Sequence, residues 1–141
     1  MNLLALVARL QKFLEYLQSE PKVYPDTAVG VEATAAAGGA FARGAYVQIV
    51  PASTITTRMR PNAIIISNPS AADEWEIDIA TGSALSEVDV GTFKFNGAET
   101  VVIPCIAEID ANVRIACRIG CFDAVARTAE VSLGYIDTLT P

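Results

Sequence analysis

Residues 74–80 read Glu74-Trp75-Glu76-Ile77-Asp78-Ile79-Ala80. Acidic and large apolar side chains alternate there without a break. A period of two places successive side chains on opposite faces of a β-strand. Trp75, Ile77 and Ile79 are therefore predicted to face a core, with Glu74, Glu76 and Asp78 on the other side. The same alternation recurs downstream. Val113, Ile115, Cys117 and Ile119 alternate with Arg114 and Arg118, and Val131, Leu133 and Tyr135 alternate with Glu130, Ser132 and Gly134.

Working outward, β-branched or aromatic runs occupy Tyr46 to Val50, Ala63 to Ser67, Thr100 to Ile103 and Ala129 to Ile136. Weaker runs lie at Ile55 to Arg58 and Ser86 to Phe95. Turn-forming residues separate them: Pro51, Arg60-Pro61-Asn62, Asn68-Pro69-Ser70, Thr81-Gly82-Ser83, Asn96-Gly97 and Asp110-Ala111-Asn112. The Asn96-Gly97 pair is read as closing a hairpin. Many short strands with no helical period between them predict a mainly β chain, an antiparallel two-sheet β-sandwich, jelly-roll-like, over residues 46–141.

Upstream, residues 1–20 read as an amphipathic helix. Leu3, Val7, Leu10, Leu14 and Leu17 repeat at spacings of four, three, four and three, a heptad seam, and Leu6 and Phe13 widen it. Arg9 and Lys12 interrupt the apolar run, which argues against a secretory leader. Pro21 ends the helix. A helix packed on its own domain and one that docks on a neighbour or on its own copies both fit the pattern. The seam is too short to be stable in isolation. Residues 21–45 hold Pro25 and then an Ala- and Gly-rich stretch. Such composition buries little apolar area per residue, so an extended arm or linker is expected.

Composition narrows the function. Of 141 residues, 52% are hydrophobic and only 18% charged, against about 25% charged in average soluble domains. The longest uncharged apolar run falls well short of the ~20 residues that span a bilayer, so partner subunits are the expected cover. A net charge of −6 without a basic cluster argues against nucleic acid.

The chain has no histidine. That removes the usual general base at neutral pH, the Ser-His-Asp and Cys-His arrangements, and histidine metal sites. Cys105, Cys117 and Cys121 form no C-x-x-C pair and read as reduced, buried thiols. Glu74, Glu76 and Asp78 sit about 7 Å apart along a strand, a spacing that suits a glycosidase pair or calcium ligands. No aromatic sugar platform accompanies them, and the polar face of an amphipathic strand is the reading adopted. No catalytic, cofactor or metal residue is assigned. Arg58 and Arg60 would share a strand face and pair with acidic groups of a neighbour, or stand solvated before a turn. With Leu3, Val7, Leu10, Leu14 and Leu17 they are the candidate interaction residues.

The segment from Asp78 to Leu133 also carries a resemblance. Asp78-Ile79-Ala80-Thr81-Gly82, Ser86-Glu87-Val88, Val101-Val102-Ile103-Pro104, Ile109 to Arg118 and Ala129-Glu130-Val131-Ser132-Leu133 are similar, in order and type, to a β-sandwich domain of tailed-bacteriophage virion proteins. That family pattern has a D-I-x-x-G turn, an S-E-V step, an I-P run and an R-I-A-x-R strand. The chain departs from it at Asp110-Ala111-Asn112, where proline and glycine are usual, and by adding Cys117 and Cys121.

The resemblance implies a non-enzymatic virion protein assembled in a host cytoplasm. Its expected role is that of a capsid cement or decoration protein. The expected partners are the major capsid protein and copies of the chain itself, as dimer or trimer, with no membrane or nucleic acid involved. The competing expectation is a head or tail fibre module that binds a host receptor.

Overall fold

The structure is a computed structural model that describes residues 2–18, 20–103 and 107–138, with only the backbone of 15–18. Among the described residues, one helix precedes nine strands. They are α1 (Leu3–Gln18), β1 (Lys22–Tyr24), β2 (Val31–Ala35), β3 (Val47–Val50), β4 (Met59–Ser67), β5 (Glu74–Thr81), β6 (Val88–Asn96), β7 (Thr100–Val102), β8 (Ile115–Cys121) and β9 (Arg127–Asp137).

The strands form two antiparallel sheets. The first runs β1-β9-β4-β7, with β2 also on β9, and the second runs β3-β8-β5-β6. From β2 onward the pairing is nested: β2 with β9, β3 with β8, β4 with β7, and β5 with β6. The chain is thus a long double strand folded over on itself, with its tip at the turn between β5 and β6. Gly82 makes that turn with φ of 114°, a region open to glycine and costly for other residues.

The core lies between the sheets, as the alternation predicts. Trp75, Ile77 and Ile79 are fully buried, as are Ile115, Cys117, Ile119, Val131 and Leu133. Trp75 stacks on Phe95 of β6 with ring centroids 5.6 Å apart, and its indole N–H donates to the Ala71 carbonyl at 3.3 Å. In β9, Ser132 and Gly134 are buried as well as their neighbours. That strand is flanked on one side by β1 and β2 and on the other by β4, so both its edges are paired.

Four expectations are corrected. The stretch read as an arm or linker forms β1 and β2, laid end to end along β9 with Lys22 opposite Tyr135 and Val31 opposite Val131. Ala33 and Ala35 are fully buried. Small side chains there serve close approach: a Cβ on Gly30 would lie 2.8 Å from the Val131 backbone, and one on Gly44 would lie 1.7 Å from the Thr34 carbonyl oxygen. The sandwich therefore begins at Lys22.

Pro61, expected in a turn, lies inside β4 at a register shift between Pro61 and Ala63, where a missing donor is tolerated. Asn96-Gly97 closes no hairpin; it carries the chain from β6 in one sheet to β7 in the other. Ile55 to Arg58 is not a strand, and β4 starts at Met59.

Candidate functional site

Helix α1 starts at an N-cap: Asn2 Oδ1 accepts the Leu4 amide at 3.0 Å. Its apolar face is uncovered. Leu3, Leu4, Leu6, Val7, Leu10, Phe13 and Leu14 are between 42% and 76% exposed. Among the described residues, no strand packs along the helix. The structure thus brings Leu3, Val7, Leu10 and Leu14 together on one exposed seam. Leu17 lies in the same helix, with its side chain outside the described residues. Contiguous apolar patches of this kind are rare on monomers and mark contact surfaces.

Arg58 and Arg60 do not share that surface. Arg58 Nε is 3.1 Å from Asp110 Oδ1 and its Nη1 is 3.7 Å from Glu108 Oε2. Arg60 Nη2 is 3.3 Å from Glu108 Oε1. The acidic partners expected from a neighbour are supplied by the chain's own β7–β8 connection. Glu108 and Asp110 also line an open cleft of about 390 Å³ with Thr81, Val90, Ala107, Ile109 and Val113.

The outer face of the second sheet holds the larger surprise. Glu76 and Asp78 project there as the alternation requires, but they are not a solvated ladder. Asp78 is buried. It accepts hydrogen bonds from Arg43 Nε at 2.9 Å, Arg118 Nε at 2.8 Å and Thr92 Oγ1 at 2.7 Å. Glu76 accepts from Arg43 Nη2 at 2.6 Å and lies 3.5 Å from Lys94 Nζ.

Arg118 reaches on to Asp89 at 3.2 Å and stacks 4.5 Å over the Tyr46 ring, whose hydroxyl donates to Asp89. Three cations and three carboxylates thereby neutralise one another. Burial would raise the Asp78 carboxyl, but the bonds from Arg43, Thr92 and Arg118 outweigh it and hold the group below its ordinary value. The Arg43 hydrogen bond does the same for Glu76. Burial, with the Asp89 bond, pushes the Tyr46 hydroxyl up to about 12.

Arg43 belongs to the segment that crosses between sheets. Phe41 and Gly44 donate their amides to Cys121 and Ile119 carbonyls at 2.8 and 3.0 Å, so this crossing runs along β8. Gly120 makes room for it, since a Cβ there would stand 2.5 Å from the Phe41 carbonyl oxygen. Nothing local in the sequence marks Arg43, which meets Asp78 from 35 positions away.

Three potential ligand atoms also converge, from Asp73, Cys121 and Asp123. Asp123 is engaged by Arg127 Nε at 2.7 Å, and burial pushes the Cys121 thiol up, away from the thiolate a metal requires. Asp73 Oδ1 accepts the Glu74 amide at 2.8 Å, so the three groups are an N–H-bonded carboxylate, an ion pair and a core thiol. Cys117 is buried and pushed up to about 12 by that burial. Cys105 lies outside the described residues.

What the fold and the exposed seam define is a two-sheet antiparallel sandwich bearing an unpartnered apolar helix. Comparison with protein-family models, with curated proteins and with solved structures returns no match. Among the described residues, no helix is long and apolar enough to cross a membrane.

Proposed function

We propose that this chain is a non-catalytic structural protein of a tailed-bacteriophage virion, a capsid cement or decoration protein. In this reading the sandwich lies over joints between major capsid proteins, and α1 engages another subunit. The observation that carries the reading is the apolar face of α1, which the chain's own sandwich leaves uncovered. An apolar surface of that extent gains stability when a partner removes it from water.

Two further features support it. We read the nested pairing of β2 through β9 in the two-sheet sandwich as jelly-roll-like, an architecture shared by viral capsid domains and lectins. That is support by architecture, and the function rests on the surfaces. The outer face of the second sheet is neutralised within the chain, which suits a subunit packed among neighbours. Each copy adds buried area across a joint, and repetition over a shell multiplies the effect.

Particles assembled with and without the chain test the proposal. Loss of resistance to heat and osmotic shock without it, restored by adding back the purified protein, is the expected result. Particles equally resistant in both states overturn it.

A further inference from the structure

The helix face specifies its own partner. With Leu3 set at heptad position d, Val7 and Leu14 fall at a, and Leu10 and Leu17 at d. Leu6 and Phe13 then occupy g, and Leu4 and Gln11 occupy e. The helix charges Arg9, Lys12 and Glu15 fall at c, f and b, away from the seam.

Two consequences follow. A face that repeats every seven residues is complementary to the same face on a second copy, and no charge at a, d, e or g of α1 opposes that pairing. The face is also wider than a two-helix seam. A two-stranded coil buries a and d and leaves much of Leu4, Leu6 and Phe13 in water, whereas apolar a, d and g positions are the pattern of bundle helices.

The area agrees. From their exposure, the seven apolar side chains of α1 offer on the order of 800 Å², about what each partner contributes to a standard interface. Closed symmetry then sets direction. Three identical helices related by a rotation axis run parallel, so three sandwiches emerge from the same end, each joined by residues 19–21.

We propose that three copies of this chain associate through a parallel three-helix bundle of α1, with Leu3, Val7, Leu10 and Leu14 in its centre and Leu6 and Phe13 closing its flanks. This deepens the structural reading above by naming one partner as a second and third copy. It does not depend on the capsid being the other.

Light scattering on the full chain, over a wide range of concentration, is the test. The expected mass is three times that of the 14.9 kDa chain. The double variant Val7→Glu/Leu14→Glu is expected to raise the concentration for half-assembly at least about a hundredfold. Because α1 lies off the sandwich, the variant's unfolding temperature, measured where both chains are monomeric, is expected to match that of the parent. A monomeric or dimeric parent, a trimer indifferent to the two glutamates, or a variant whose sandwich unfolds early each overturns the proposal. Binding to particles, measured in parallel, separates the two readings: a trimer that ignores particles sinks the capsid role alone, and a monomer that binds them sinks the bundle alone.

Discussion

Arg43 Nε donates to Asp78 Oδ2 at 2.9 Å, joining the β2–β3 crossing to the middle of β5. Asp78 is the charged side chain most withdrawn from solvent in the ion cluster, and it has three donors. Removing one partner of a buried pair leaves the other charges uncompensated, which costs more than the pair itself contributes. Asp78→Asn is therefore expected to destabilise the fold by about 3 kcal/mol, a fall of roughly 10 °C in melting temperature for a domain of this size. Arg43→Met removes one donor of three and is expected to cost about half as much. Thermal melts of both variants check the order; an Asp78→Asn chain as stable as the parent refutes the account.

The same cluster, together with the separate Lys22–Asp137 pair, sets the response to acid. Arg43 holds Glu76 low, and Asp78 and Asp137 are held low despite burial, the latter by Lys22 and Thr57. A carboxyl whose folded value is depressed binds protons more readily in the unfolded chain, so stability rises with pH through its titration. The contribution is complete above the unfolded values near 4 and is lost as pH falls through the lower folded ones. A level melting temperature from neutrality to about pH 5, then a decline below about pH 4, is expected. In Asp78→Asn the decline should be shallower. Parallel curves for parent and variant count against the assignment.

These features divide by how local their physics is. The strand at Glu74 to Ala80 was legible because one of its faces meets a core, which writes a period of two into adjacent residues. The helix seam was legible for the same reason, with its own period. Residues 22–35 were not: the inward positions of β2 are Val31, Ala33 and Ala35, and alanine carries little hydrophobic signal although its smallness is what the close packing needs. Pro61 read as a turn because proline usually breaks strands, and only the register shift beside it explains its place in β4. Arg43 and Arg118 could not be paired with Asp78 from sequence, since the sandwich winding joins them across long separations. The uncovered state of α1, as opposed to its amphipathic pattern, likewise needed the packing of the whole chain.

Cys117 and Cys121 are buried, and burial raises both thiols, Cys117 to about 12. The thiolate is the reactive form, and burial keeps Cys117 in the thiol form at ordinary pH. In a Cys105→Ser chain, which leaves these two as the sole thiols, reaction with a disulfide reagent is expected to be at least about a hundredfold slower in native buffer than in denaturant. Stoichiometric labelling of the folded chain within minutes contradicts the burial described.

Two glycines in the β2–β3 crossing are expected to behave oppositely. A Cβ on Gly44 would stand 1.7 Å from the Thr34 carbonyl oxygen, whereas one on Gly39 would meet nothing within 4 Å. Gly44→Ala must push the crossing off β2, and a loss of about 3 kcal/mol is expected. Gly39→Ala should change stability by no more than about 0.5 kcal/mol. Urea unfolding of the two variants decides it, and equal midpoints remove the argument for close packing between the crossing and β2.

Truncation separates α1 from the sandwich. α1 packs along no strand among the described residues, so a chain starting at Pro21, studied where helices do not associate, should melt within a few degrees of the parent. A chain starting at Ala36 loses β1 and β2. It leaves one side of β9 from Arg127 to Tyr135 without partners and strips the core of Ala33 and Ala35, both fully buried. Unpaired buried backbone groups each cost a large part of a hydrogen bond. This shorter chain is expected to lose cooperative unfolding and to aggregate through its open edge. Trp75 fluorescence reports both transitions, because the indole lies in the core against Phe95. If the two truncated chains melt alike, residues 22–35 contribute nothing to the sandwich and return to being a linker.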